Sequence, residues 1–528
     1  MITTPTSNNS SWLTRFLRTP LGPALLLASV VLLARIAYLV WLCPYELAAD
    51  EAHYWEWSRR LSLSYYTKGP GVAFLIQACT ALFGITEWSV RLPAAIASFV
   101  STILLASLAA SVAPAATRPR IALLAAALFT LSPVFHGTAQ FMTIDSPFFT
   151  CWILAALITW RIHRLTPSPA HFLLLGLVIG VGMLFKYTMI LLVPGILWFL
   201  LTRHPLTPLR RLLSILALLL GITICASPII IWNSLNDWPT LAHLLGHARL
   251  PGGDITPSTE WRYNPLWTLG YLSYPFVVLG PPIGILIVLA IRKAWNQRHE
   301  DRDRWEFVLF ALHSAFPILA FYLILSFKTD IELNWPVAGY TVLLIPAAWF
   351  LADQWPRSAR PALWKWTLGF GLATALLISF GSWPLQWVSR IRVAGYQIPA
   401  DRALKRVANH KQQAQRIAKM SRAIEQSTGH KPFIVASSYS QASLLAFYMP
   451  DHPSVRCAGS RLRGRATAYD YFADTSFTAP DILGRPSLLV GATYDAWHDA
   501  LLFDRIVRSR YPGQIFAAYN YSGPSLTP

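Results

Sequence analysis

The feature that most restricts this chain is a succession of apolar runs, many of them as long as a bilayer core is thick. A membrane-spanning helix needs about 20 mostly apolar residues. The first run is Pro23–Leu42. Others follow at Arg91–Val112, Ile121–Phe135, Pro147–Ile162, Phe172–Phe185, Met189–Leu201 and Leu212–Trp232, then at Leu266–Ile291, Phe307–Phe327, Trp335–Leu351 and Trp366–Val388. Together they predict about eleven spans. Composition agrees. Only 13% of residues are charged, 54% are hydrophobic and the mean hydropathy is +0.42, whereas a soluble domain carries about 25% charge. The 22 Trp and 20 Tyr residues suit the two membrane interfaces, where an aromatic ring is half wet.

Gly71–Phe83 is apolar but too short for a span, and is expected at the interface within a long first outer loop. Basic residues test that assignment. With a cytoplasmic N-terminus, the inner connections hold Arg118 and Arg120, Arg161 and Arg164, and Arg203, Arg210 and Arg211. The later ones hold Arg292, Lys293, Arg298, Arg302 and Arg304, then Arg357, Arg360 and Lys365. The outer connections are poorer in Lys and Arg, as the positive-inside rule requires. Counting Gly71–Phe83 as a span would invert every later loop. The same bias explains the net charge of +19 without a nucleic-acid partner. Arg15 and Arg18 precede the first run and no small-residue cleavage site follows it, so it is expected to be a retained anchor.

From about Arg390 the composition changes. A charged, amphipathic segment over Asp401–Gln426 predicts a helix, and short β-like runs follow at Phe433–Ala436 and Ser487–Val490. The fold expected is mainly α: a polytopic helical domain over 1–389 with interfacial helices in its first outer loop, then a soluble α/β domain over 390–528. An odd span count puts that domain outside. The cysteines Cys43, Cys79, Cys151, Cys225 and Cys457 form no CxxC pair, so there is no zinc or redox motif.

Chemistry-bearing residues collect in the outer loops and at span ends. The first outer loop opens Asp50-Glu51-Ala52-His53-Tyr54-Trp55-Glu56-Trp57. On a helix, Asp50, His53, Tyr54 and Trp57 share a face. A carboxylate near an apolar boundary gains proton affinity and suits a general base; Asp50 also suits an N-cap. Further on stands Tyr65-Tyr66-Thr67-Lys68-Gly69-Pro70. Lys68 suits a phosphate, and equally a snorkelling lysine among headgroups. Asp145 precedes Ser146-Pro147 at a span start, which also fits a cap. Lys186, in Lys186-Tyr187-Thr188, is wedged between two apolar runs and must face a cavity or a partner. The loop Asn233–Asn264 carries Asp237, His243, His247 and Glu260. His243 and His247, one helical turn apart, suit a divalent metal ion, although no HExxH frame accompanies them and solvated loop histidines have the same spacing. Asn334-Trp335-Pro336 opens a late span, and Arg35 is a lone charge within the first, either functional or snorkelling outward.

In this order, an acidic pair after the first span, YYTKGP, IDSP, KYT and NWP resemble the dolichyl-phosphate-mannose protein mannosyltransferase family and its bacterial relatives, among them the aminoarabinose transferase that modifies lipid A. These are integral-membrane glycosyltransferases of the C-type fold. The resemblance runs from Asp50 to about Trp335. It implies that Asp50 is the catalytic base or an acceptor-orienting ligand, with Glu51 beside it, and that Asp145 is the second-loop aspartate of the active site. It implies that Lys68 and Lys186 bind the donor phosphate. His53, Tyr54, Tyr66, Tyr187, Asn334 and Trp335 are the expected substrate contacts. Thr67 stands where the aminoarabinose branch has a carboxylate and many other relatives have Asp-His-Pro-Pro, so the family's metal site is not carried over intact. Its loop histidine corresponds to His243 or His247.

The implied reaction moves a sugar from a polyprenyl-phosphate donor to a hydroxyl or phosphate on a lipid, glycan or protein acceptor, with inversion if displacement is direct. Its setting is the outer face of a bacterial inner membrane, with lipids as the other partners. The competing class is a lipid or sugar transporter or flippase. That class favours repeat symmetry and Gly/Pro-broken helices in both halves, and no internal repeat is present.

Overall fold

The computed structural model describes residues 16, 19–254, 263–354, 361–382, 392–393, 396–397, 406–510 and 513–525. Arg15, Arg18, Glu260, Arg357 and Arg360 lie outside the described residues, as do the ends of the Trp366–Val388 run and of the Asp401–Gln426 segment. The chain divides into two compact units. A helical unit comprises Met1–Leu42, Ala94–Ala226 and Arg262–Ser379; a mixed unit comprises Cys43–Pro93, Ser227–Trp261 and Phe380–Pro528.

In the helical unit the apolar runs become helices that pack through small residues. Ala24, Ala106, Ala110, Ala122 and Ala126 form one buried cluster, and small side chains of this kind let helix backbones approach closely. Leu26, Val30, Leu33, Leu216, Leu219, Leu220 and Ile224 remain exposed. Apolar surface of that extent needs an apolar solvent. Among the described residues, six helices are long and apolar enough to cross a membrane, or seven if the bent pair Pro265–Val278 and Pro281–Asn296 is one span. Length and apolarity alone therefore do not reach the expected count of about eleven, because several runs become shorter helices. The Ile121–Phe135 run divides into Arg118–Leu131 and Pro133–Thr138, and the Phe172–Phe185 run becomes Pro169–Met183.

The Leu266–Ile291 run is not one straight helix: its two halves meet at 98°. Gly280 makes the bend. Its φ is +86°, in the region open to glycine, and a Cβ there would collide with the Phe370 ring. Pro281 and Pro282 then start the second helix, where a missing N–H costs nothing. Arg35 is buried and donates from Nη1 to Ser98 Oγ at 2.8 Å, so it does not snorkel outward.

The mixed unit gathers the first loop, the loop after residue 227 and the tail. The tail holds a five-stranded sheet of β3 (Phe433–Ala436), β4 (Val455–Cys457), β5 (Ser487–Val490), β6 (Leu501–Arg508) and β7 (Ile515–Pro524). The order is β4-β3-β5-β7-β6. A separate antiparallel pair joins β1 (Arg392–Val393) and β2 (Tyr396–Gln397). Strands β3 and β5 lie where the apolar runs predicted them. Both are buried at every position, as parallel strands covered on both faces should be. Helix His410–Thr428 buries Ala414, Ile417, Ala418, Ser421 and Ile424, one stripe at helical spacing. Helix Tyr439–Tyr448 packs against the first-loop helix Ala49–Ser58.

Candidate active site

The expected residues fall into two groups, one in each unit. In the mixed unit, helix Ala49–Ser58 is capped by Glu51, whose Oε2 accepts the Ala48 N–H at 2.9 Å. The cap that Asp50 could have made is thus made by its neighbour. Both Glu51 oxygens also accept from Arg91 at 2.8 Å. Arg91 donates in addition to the Tyr45 and Glu46 carbonyls, at 2.9 Å each. Each side chain of this ion pair is 1% exposed. Glu51 is therefore a strut that fixes the start of the helix, with no oxygen turned toward a substrate.

Asp50 has the opposite surroundings. Its side chain is exposed and is met by the Tyr439 hydroxyl at 3.4 Å. The protein crowded around the carboxyl raises its pKa above the ordinary carboxylate value. Tyr439, Lys68 and Arg465 pull in the other direction, Glu51 adds to the rise, and the balance is upward.

His53 is buried and structural. Its Nε2 accepts from Trp57 Nε1 at 3.2 Å, and its Nδ1 lies 3.1 Å from Ser443 Oγ, which meets Tyr469 Oη at 2.9 Å. Burial, helped by Arg465, pushes its pKa down to about 3, so the ring is neutral. Tyr54 packs edge-on against Trp57 at 5.1 Å. Glu56, fully buried, holds Arg59 at 2.6 Å and Arg60 at 2.5 Å. Arg60 also grips both Asp474 oxygens, at 2.7 and 2.5 Å. Residues 467–474 form a strap along the first loop. Tyr469 stacks on His53 at 5.6 Å, Tyr471 on Tyr66 at 5.8 Å, and the Arg60 guanidinium lies 4.9 Å from the Phe472 ring centre.

The Tyr66 hydroxyl donates to Asp254, which also meets His243 Nδ1 at 3.0 Å. Burial alone would raise the Asp254 pKa, but these two bonds outweigh it and lower the value. Burial pushes His243 down to about 4 and also lowers His247, where Lys68 and Arg465 add to the effect. His243 Nε2 and His247 Nε2 are 3.1 Å apart, with Asp254 behind His243 as a carboxylate often stands behind a metal-bound histidine. A cation needs more donors than this. Structural and catalytic zinc sites use three or four protein ligands, and among the described residues no group of three His, Cys, Asp or Glu side chains is arranged to hold a metal. The described residues of this loop do not fit one.

In the helical unit, Asp145 begins helix Asp145–His163. Lys186 Nζ meets its Oδ1 at 2.8 Å, and Asn334 Nδ2 donates to its Oδ2 at 2.8 Å. Lys186 also donates to the Asn334 carbonyl at 3.3 Å and lies 5.5 Å from the Phe148 ring centre. The Asp145–Lys186 pair is buried, so the wedged lysine has the partner its position demanded. Trp335 lies 5.7 Å from Tyr322, while Tyr187 begins the short helix Tyr187–Leu191 directly after Lys186. Three segments far apart in sequence thus bring Asp145, Lys186 and Asn334 together.

Sequence reasoning missed Arg91, Asp254, Arg465, Tyr471 and Asp474. Arg91 was hidden at the start of an apolar run. The Tyr469-Asp470-Tyr471-Phe472 cluster is an aromatic run in the tail, but nothing local says what such rings touch.

Residues 67–232 match the family model described as dolichyl-phosphate-mannose-protein mannosyltransferase. The chain is 26% identical over 321 residues to the lipid A galacturonosyltransferase RgtD of Rhizobium johnstonii, covering 60% of this chain and 63% of that protein. It is 25% identical over 371 residues to the undecaprenyl phosphate-alpha-4-amino-4-deoxy-L-arabinose arabinosyl transferase of an Enterobacter species, covering 64% and 62%. The chain thus spans just under two thirds of the length of either curated relative. Its fold is similar to that of ArnT from Cupriavidus metallidurans. The TM-score is 0.60 against the apo form at 14% identity and 0.55 against the form bound to undecaprenyl phosphate at 16% identity, each covering 93% of this chain and 97% of the other. The family match over residues 67–232, these relatives and this fold agree with the resemblance carried by the ordered motifs: the chain is similar to the integral-membrane glycosyltransferases of the C-type fold.

Proposed function

We propose that this protein transfers a sugar from a polyprenyl-phosphate donor to a hydroxyl or phosphate of a lipid acceptor at the outer face of a bacterial inner membrane. The observation that carries the reading is Asp50: an exposed carboxylate in the first loop, with raised proton affinity, a tyrosine hydroxyl in reach and a lysine close enough to act on it. The printed activities of the two relatives, both acting with lipid-linked partners, support the class of reaction.

In the proposed step, the acceptor oxygen attacks the anomeric carbon as the bond from that carbon to the phosphate oxygen breaks. Asp50 takes the acceptor proton, and the polyprenyl phosphate leaves with the bonding electrons. Direct displacement inverts the anomeric centre. Lys68 offsets the charge growing on the leaving phosphate. Within the helical unit, Lys186 is a phosphate-binding lysine, with Asp145 and Asn334 as the residues that position it. Glu51 and His53 act as supports, holding the loop that carries Asp50. The four helices Arg118–Leu131, Asp145–His163, Pro169–Met183 and Tyr187–Arg203 would raise the span count to about eleven, with the N-terminus inside and the tail outside.

The test is transfer from undecaprenyl phosphate carrying a labelled pentose or hexuronic acid to lipid A, using purified protein in proteoliposomes. Asp50→Asn should slow transfer by about 10²–10⁴-fold, the usual worth of a general base, while the protein keeps its fold. Full activity in Asp50→Asn would remove Asp50 from this role.

A further inference from the structure

The mixed unit holds a concave feature that no step of the proposed transfer uses. A cavity of about 350 Å³ opens beside the 467–474 strap. Its walls are the rings of Tyr65, Tyr66, Trp232, Tyr471 and Phe472. Tyr66 and Tyr471 face each other at 5.8 Å and 25°, and Trp232 meets Tyr471 at 5.4 Å and 57°. Part of the lining is polar. Arg60 and Asp474 contribute their ion pair to the lining, with Ser62 beside them. Tyr471 is 38% exposed, so its ring is reachable from solvent, while Tyr65 and Tyr66 are buried behind it.

This combination selects among occupants. A pyranose ring has an apolar C–H face and an edge of hydroxyls. The C–H face suits an aromatic wall, and the hydroxyls suit a fixed cation, a carboxylate and a serine. A lipid tail would satisfy the wall but would strip water from the Arg60–Asp474 pair without replacing its hydrogen bonds. The volume lies near the lower limit for small-ligand pockets, enough for one sugar unit but not for a polyprenyl chain. The cavity is linked electrostatically to the proposed base. Lys68, two positions beyond Tyr66, acts on the Asp50 carboxyl, and Arg465 acts on both Asp50 and Tyr66.

We propose that this aromatic cavity is the subsite for a pyranose ring of a glycolipid acceptor, a role that rests on the reading of the protein as a lipid glycosyltransferase. The strap from the tail then supplies acceptor recognition, with Tyr471 as its central platform.

The probe is a soluble β-1,6-linked glucosamine disaccharide, and binding to the full-length protein in detergent is read by saturation-transfer NMR. Wild-type protein and Asp50→Asn should both bind it. Tyr471→Ala and Trp232→Ala should lose most of the signal, while Tyr471→Phe, which keeps the stacking face, should retain it. With lipid A as acceptor, Tyr471→Ala should raise the acceptor KM by up to about tenfold and leave the donor KM alone. The Tyr471→Phe result separates loss of the platform from loss of fold. Failure of wild type to bind the disaccharide, or wild-type binding by both alanine variants, overturns the subsite. Wild-type protein that binds the disaccharide through Tyr471 yet transfers no sugar leaves the subsite standing and sinks the transferase reading alone.

Discussion

Asp50 and Glu51 are adjacent in the chain and opposite in surroundings. Glu51 is sealed against Arg91, while Asp50 stands exposed with Tyr439 and Lys68 about it. The sequence presents them as one acidic pair, and no local rule says which is open. Arg91 lies 40 positions from Glu51 and Tyr439 lies 389 from Asp50, so only the fold separates their roles. The same holds for His53, which helical spacing puts on the Asp50 face but which Ser443 and Tyr469 enclose. The hydrogen bond from Tyr439 favours the ionised form of Asp50 and lowers its pKa. Removing it lets the already raised pKa climb further, so more of the base is protonated at a given pH. Tyr439→Phe should therefore shift the acid limb of the kcat/KM profile to higher pH, with the plateau rate at high pH nearly kept. An unmoved acid limb would mean that this carboxyl does not set the profile.

Elements were easier to read where a short run of one residue class decided them. β3 and β5 are four-residue apolar strands, and the stripe of helix His410–Thr428 repeats at helical spacing. The bend at Gly280 was less visible because the hydropathy stays high across it; the signal lies in Gly280-Pro281-Pro282, which a window average hides. Long-range struts were not legible at all. Helix Ala49–Ser58 depends on one of them, since the Glu51–Arg91 pair both caps it and ties it to the chain before Glu46. Removing one partner of a buried pair leaves a charge without compensation and costs about 3–5 kcal/mol. Glu51→Gln should lower the thermal stability of the purified protein accordingly. A melting temperature equal to that of the wild type would show that Arg91's carbonyl partners suffice without the carboxylate.

For the whole molecule, the apolar runs and the basic bias between them made a multi-pass membrane protein evident from sequence. The tail was legible as an α/β segment, but its joining to the first loop was not. Val407, His410, Tyr448 and Asp474 bond to Glu46, Leu47, Glu87 and Arg60, pairings that no sequence pattern encodes. In the proposed reaction the bilayer delivers a lipid-linked donor, and the sugar alone leaves it. The most direct test places in proteoliposomes a donor labelled separately in its sugar and in its polyprenyl phosphate, together with lipid A. The sugar label should appear in lipid A while the phosphate label stays with the free polyprenyl carrier. Movement of both labels together across the bilayer, with no labelled lipid A, would contradict the account and identify a transporter.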